Sequence, residues 1–414
     1  MKSVLEKCKQ RLLKSGLVVE NSLILAARDY KICWNNQSDS PQKKQILQKM
    51  MEKMDYNYLI YARLELPWLD IIRFYANKQK LIIPDDSETR TFFHAIPILS
   101  SLNFSEAAEV LVLYPVAVLP DGSIIAGGRY AFLEPYVLLS SVCFALFVKF
   151  MADYLMDNEQ GKLNSLQLDC FKKTVAQLNL PYAPDFDFEK PQDFQPELND
   201  FYLFPEVAQK LSSFQGELSE LMEMTGKLTV DLGLVDSFFG NISVKKKQQI
   251  RISRSGVPLD ELAGNLVAID GLSTLGIIAS SEFSAHDSIY KKCSTRSVLH
   301  GHPLFSVILS LACFDFDCPA RGKCHLECFR PRFAAKVRVV PGEVGTGRYG
   351  LVNTIPPALE NRTAAIVYGH GVFVRGENLP ECLLGLLQIE RRALAEYFRK
   401  LFPFESENSK SSEE

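Results

Sequence analysis

The sequence predicts a layered α/β protein built from two domains. Three observations predict it. The chain has 414 residues, too many for one ordinary core. Its composition, 47% hydrophobic and 23% charged, is that of a globular protein. Its second half alternates short strand-like runs with helical ones, the pattern of sheets covered by helices.

In chain order, Leu218 to Leu232 has apolar residues at helical spacing. Gly240-Asn241-Ile242-Ser243-Val244 starts a strand, and a turn at Lys245 to Gln249 returns it through Ile250 to Ser253. Leu266 to Ile269 and Leu275 to Ala279 read as further strands, His286 to Lys292 as a helix, and Ser297 to His300 as a strand. Phe305 to Cys313 is helical, Ala364 to Tyr368 and Gly371 to Val374 are strands, and Pro380 to Leu401 is a long amphipathic helix.

The boundaries follow composition. Residues 1–158 form a first α/β domain, 159–215 a linker rich in Pro, Asp and Phe, 216–403 a second domain, and 404–414 a polar, disordered tail. The first half carries echoes of the second. Gly16-Leu17-Val18 parallels Gly233-Leu234-Val235, Ala62 to Glu65 parallels Ala279 to Glu282, and Tyr114 to Gly122 parallels Tyr368 to Gly376. On that alignment Pro115 stands near His370. Two readings stand: a degenerate copy of the same fold, or chance likeness between two α/β patterns.

A net charge of −3 argues against a large basic face, so no nucleic-acid partner is expected. The most apolar run, Val137 to Val148, is short of the about twenty residues of a membrane span. It is expected to be a buried helix, with no membrane partner. The first residues lack the apolar core of an export signal, and ten cysteines then point to reduced thiols and a cytoplasmic location.

The chemistry gathers around histidine. In His300-Gly301-His302-Pro303 the two imidazoles are two residues apart on an extended strand, and so share a face. His370, between Gly369 and Gly371, follows another strand. Three of only six histidines thus sit at strand ends beside glycine. Three nitrogen ligands with an open position suit a catalytic zinc or similar divalent ion.

The ordered set Gly240-Asn241-Ile242-Ser243, Ser253 to Leu262, Ser280-Ser281-Glu282, His286, His300-Gly301-His302-Pro303 and His370-Gly371 resembles the class II aldolase/adducin family over residues 215 to 400. That resemblance implies a central, mainly antiparallel sheet flanked by helices. It implies His300, His302 and His370 as metal ligands and Glu282 as the base. It implies Asn241, Ser255, Gly256, Ser280 and Ser281 as a cradle for substrate phosphate. It further implies a divalent metal cofactor (zinc above others), a small phosphorylated sugar substrate, and a homo-oligomer. The leading activity is aldol cleavage or condensation of a phosphorylated ketose. Epimerase or dehydratase chemistry on the same site and a non-catalytic, adducin-like interaction module are the alternatives. In the aldolases a neighbouring subunit's tyrosine acts as acid, and no residue here maps onto it.

Two features depart from the family pattern. Cys313, Cys318, Cys324 and Cys328, with His325, could hold a second metal or an iron–sulfur cluster, or could be reduced thiols in a redox-labile loop. Gly342 to Gly350 is a glycine-rich stretch without the strand-then-helix setting of a phosphate loop. His286 fits a structural role behind the site better than direct ligation.

Overall fold

Alternating β-branched and aromatic runs pair into two main sheets, and the amphipathic runs between them supply the covering helices. The structure, a computed structural model, describes residues 2–35, 40–197, 204–236, 238–270, 274–343 and 347–402. The expected tail therefore lies outside the described residues. The chain divides into two compact units: Met1–Tyr154 with Lys162–Leu178, and Leu155–Gly161 with Asn179–Glu414.

In the first unit, helix α1 (Lys2–Lys14) leads into strands β1 (Ile24–Arg28) and β2 (Ile32–Trp34), then α2 (Pro41–Met54), β3 (Tyr58–Arg63) and α3 (Trp68–Ala76). A small pair, β4 (Leu81–Ile82) and β5 (Ile96–Pro97), brackets α4 (Ser87–Phe92). There follow α5 (Phe104–Leu111), β6 (Val116–Val118), β7 (Ser123–Gly128), α6 (Leu133–Glu159) and α7 (Ser165–Ala176). The main sheet has the order β2-β1-β3-β7-β6, antiparallel throughout. By length and composition α6 could cross a membrane, yet 89% of its most apolar window is buried inside the protein, as expected of a core helix.

The second unit continues with α8 (Pro205–Ser212), α9 (Leu218–Asp231), β8 (Asn241–Lys246), β9 (Gln249–Ser253), β10 (Leu266–Ile269), α10 (Phe283–Lys292), β11 (Ser297–Gly301) and α11 (Leu304–Leu311). It ends with β12 (Arg332–Ala334), β13 (Val337–Val340), α12 (Leu351–Leu359), β14 (Ala364–Val367), β15 (Gly371–Gly376) and α13 (Leu379–Leu401). Eight strands form one sheet in the order β10-β9-β8-β11-β15-β14-β13-β12, antiparallel except for β13 beside β14. Residues of α10 and α12 share a core with Ile252, Val298 and Phe373 of the sheet. The sheet is mixed but mainly antiparallel and flanked by helices.

Some expectations need correction. Leu275 to Ala279 is not a strand: Thr274–Ile277 is a short 3-10 turn and Ile277 is 87% exposed. A short apolar run does not distinguish the two by pattern alone. Ala279 makes only an isolated bridge to Arg254. The stretch 159–215 is not a plain linker, because α7 belongs to the first unit and the chain from Asn179 to the second. Its phenylalanines pack: Phe186 lies 4.9 Å from Phe194 and 5.0 Å from Phe398. The fully buried Arg391 holds the Asp185 carboxylate at 2.7 and 2.9 Å. Helix α12 escaped notice because it contains Pro356 and Pro357. Pro356 cannot donate to the Val352 carbonyl, and the Ser288 hydroxyl does so instead at 2.9 Å.

The two units share a strand plan. The run β9-β8-β11-β15-β14 has the order and directions of β2-β1-β3-β7-β6. Both end in the same three-residue turn, in which His370 N–H donates to Val367 and Gly122 N–H to Leu119, each across 2.9 to 3.1 Å. Counted along the registers from that turn, Asn241, His300, His302 and His370 correspond to Ile24, Tyr61, Arg63 and Gly122. Pro115 is therefore not opposite His370. Glu65, which follows β3, does not match Glu282, which precedes α10.

Candidate active site

Strand β11 delivers His300 near its end, and Gly301, its last paired residue, lets neighbouring chain pack closely there. A Cβ at Gly301 would lie 2.9 Å from Leu386 and 3.0 Å from the Leu234 carbonyl. Pro303 then ends strand pairing and opens α11. On the neighbouring strand, Gly371 follows His370 and packs directly under the other two imidazoles. The three rings converge: one ligand nitrogen from each of His300, His302 and His370 lies within 4.8 Å of the others. His302 Nε2 is 2.8 Å from His300 Nε2. All three residues are buried.

The hydrogen bonds orient this cluster. His300 Nδ1 sits 3.0 Å from the Val372 carbonyl, which can only accept, so Nδ1 carries a proton and Nε2 is the nitrogen turned to His302 and Glu282. Glu282, 6% exposed at the start of α10, places Oε1 2.8 Å from His370 Nε2 and Oε2 3.3 Å from His300 Nε2. Burial alone would raise its carboxyl. The charge of His300, the hydrogen bond and charge of His370 and the Asn241 amide outweigh that and hold it well below the ordinary carboxylate range. Burial pushes His302 well down, and His300 and His370 push it further. A carboxylate facing imidazole nitrogens in a dry site suits a divalent cation among the nitrogens.

Behind Glu282 runs a second line of partners. Asn241 Nδ2 donates to Glu282 Oε2 at 2.6 Å. The Asn241 carbonyl oxygen then accepts from His286 Nε2. His286 Nδ1 must accept from the Ser243 hydroxyl at 2.6 Å, and Ser243 Oγ is 2.8 Å from the Tyr290 hydroxyl, which donates to it. Burial pushes His286 down to about 3, so it stays neutral in its role as relay. Ser243 and Tyr290 stand within or beside the ordered motifs, but sequence reasoning gave neither a role in the site. Spacing could have supplied it for Tyr290, which lies one helical turn beyond His286.

The other candidates fall as follows. Ser280 is buried, and its Oγ accepts the Glu282 N–H at 3.3 Å. Ser281, Ser255 and Gly256 are exposed. The loops bearing them adjoin: Ser280 N–H donates to Ser253 O and Ser255 N–H to Ile278 O, both at 3.0 Å. Gly256 has φ +70° and open space around its Cα, as an anion-facing backbone requires. Asn241 is committed to Glu282 and His286. Among the described residues, no group of three or more converging ligand atoms contains Cys313, Cys318, Cys324 or Cys328. All four are free thiols, and burial raises that of Cys324. Within the glycine-rich stretch, residues 344–346 lie outside the described residues.

Comparison with known proteins points to one family. The family described as class II aldolase and adducin N-terminal domain matches residues 219–397. The L-fuculose phosphate aldolase of Haemophilus influenzae is 26% identical over 196 residues, which are 45% of this chain and 84% of that protein. Among solved structures, l-fuculose-1-phosphate aldolase from Thermus thermophilus is 24% identical with a TM-score of 0.37, covering 44% of this chain and 94% of its own. The sugar-phosphate aldolase from Thermotoga maritima is 16% identical with a TM-score of 0.32, covering 44% of this chain and 93% of its own. Residues 219–397 of this chain are thus similar to the class II aldolase and adducin N-terminal domain.

Proposed function

We propose that the second unit is a divalent-metal-dependent lyase that cleaves a phosphorylated ketose by aldol chemistry. The observation that carries the reading is the convergence of the His300, His302 and His370 nitrogens, all buried, with the Glu282 carboxylate 2.8 Å from one of them. These three histidines would hold the ion, zinc above others, and the Nδ1 proton held at Val372 leaves Nε2 as the nitrogen of His300 that would ligate. When bound, the ion supplies Lewis acidity against the negative charge that develops on substrate oxygens.

The chain's own residues do the rest. In cleavage the hydroxyl of the bond-bearing carbon loses its proton, a carbon–carbon bond breaks, and an aldehyde leaves. The electron pair stays on the ketose-derived fragment, which takes up a proton at carbon. Glu282, kept ionised, is the group placed to accept and return that proton. Asn241 and His286 aim its carboxylate. Ser255, Gly256, Ser280 and Ser281 offer hydroxyl and backbone donors to a phosphate on their adjoining loops.

The test is elemental analysis of the purified full chain, followed by an assay for triose-phosphate release from phosphorylated ketoses. About one metal per chain, lost in His300→Ala, is expected from imidazole ligation. Glu282→Gln should keep the metal and lose about 10²–10⁴-fold in turnover. A wild-type chain with no metal, or metal without turnover on any phosphorylated ketose, overturns the reading.

A further inference from the structure

We propose that Glu390 is a positioning residue of the metal centre, clamping the first turn of α11 so that His302 and His370 stay at ligating distance. This rests on the metal reading above and concerns a residue far from it in sequence.

Helix α11 begins immediately after His302, with Pro303 as its cap residue and no side-chain cap of its own. Its first N–H groups would be buried without acceptors, a costly state. Glu390, midway along α13 and fully buried, supplies both. Its Oε1 accepts the Phe305 N–H at 2.7 Å, and its Oε2 accepts the Ser306 N–H at 2.9 Å and the Ser306 hydroxyl at 2.7 Å. A local Ser or Asp at position 303 would cap as well, but proline there turns the chain out of β11.

The other end of α11 is tied in the complementary way. Arg332 donates to the Ser310 and Ala312 carbonyls at 2.8 and 2.6 Å. Carboxylate at the N-terminus and guanidinium at the C-terminus both oppose the helix dipole. Between them, the Ser310 hydroxyl oxygen accepts the Gly369 N–H at 2.8 Å, one residue before His370. Thus α11 is a bar fixed at both ends, with one ligand entering it and the turn of another hanging from it.

The experiment measures zinc affinity of the full chain by competition with a chromophoric chelator. The variants are Glu390→Gln, Glu390→Ala and Ser310→Ala, with Leu359→Ala as a core control on α12. Circular dichroism checks folding. Glu390→Ala should bind zinc about 10–100-fold more weakly, the usual cost of losing a partner behind the ligands. Glu390→Gln, which keeps one acceptor oxygen, and Ser310→Ala should lose less, and Leu359→Ala nothing. Should Glu390→Ala not fold, Glu390→Gln and Ser310→Ala decide the matter. Wild-type affinity in both overturns the role of Glu390 alone, whereas a wild-type chain that binds no zinc overturns the metal centre and this role together.

Discussion

The sharpest prediction concerns Gly371. A methyl group there would place Cβ 2.5 Å from the Gly301 carbonyl oxygen, 2.8 Å from His300 Cε1 and 2.8 Å from His302 Cδ2. Carbon atoms pack best at about 3.5–4.0 Å, so each ring must retreat by roughly 0.7 Å or more. His300 has little room, being stacked 3.9 Å from Phe373 and bonded to Val372 at 3.0 Å. Overpacking of this kind costs about 1–3 kcal/mol. The displacement also exceeds the about 0.5 Å within which a ligand set works. Gly371→Ala should therefore lower the unfolding midpoint and weaken zinc about 10–100-fold. Gly276→Ala, whose Cβ would meet nothing within 4 Å, is the control. Chelator competition and thermal unfolding with and without zinc measure both effects. Zinc affinity in Gly371→Ala indistinguishable from wild type would refute the argument.

Further outcomes are expected. His286 is held near 3 in the folded chain against 6.5 ordinarily, so below pH 6.5 the unfolded chain takes up the extra proton and stability falls as pH drops towards 3. The loss reaches at most about 5 kcal/mol, and His286→Gln should flatten the slope. Both tryptophans, Trp34 and Trp68, lie in the first unit, so circular dichroism rather than fluorescence must report it. Asp185→Ala leaves the buried Arg391 guanidinium uncompensated, and urea unfolding should show a loss of about 3 kcal/mol, at the low end because Asp185 is 31% exposed. A Cys324→Ser, Cys328→Ser chain should keep its full metal content by elemental analysis, since no cysteine joins a ligand cluster among the described residues. A fall in metal content would restore a second centre.

What was legible in the sequence was local. A period of two placed His300 and His302 on one face, and glycines beside His370 marked a tight strand end. The alternation of runs gave the layers. What stayed hidden depends on pairings across long stretches of chain. The register of β8 against β11 sets Asn241 opposite His300 and so turns its amide to Glu282 and His286. Phosphate binding was expected of that amide. Glu390 serves α11 from across 85 positions, and no spacing rule reaches so far. Helix α12 was concealed by its prolines, whose missing donor is made good by Ser288. The segment from Tyr182 to Gln195 looked like loose connection because a buried Arg391 at the far end of the chain is what fastens it.

The corner of the first sheet that matches His370 is closed by hydrocarbon. At Gly122 the backbone φ is +82°, and a Cβ would strike Leu69 Cδ1. Where one sheet gathers three imidazoles, the other is plugged by leucine. Histidines grafted at Tyr61, Arg63 and Gly122 would meet a filled socket at Leu69, so that leucine would have to be cut back before the three rings could converge there.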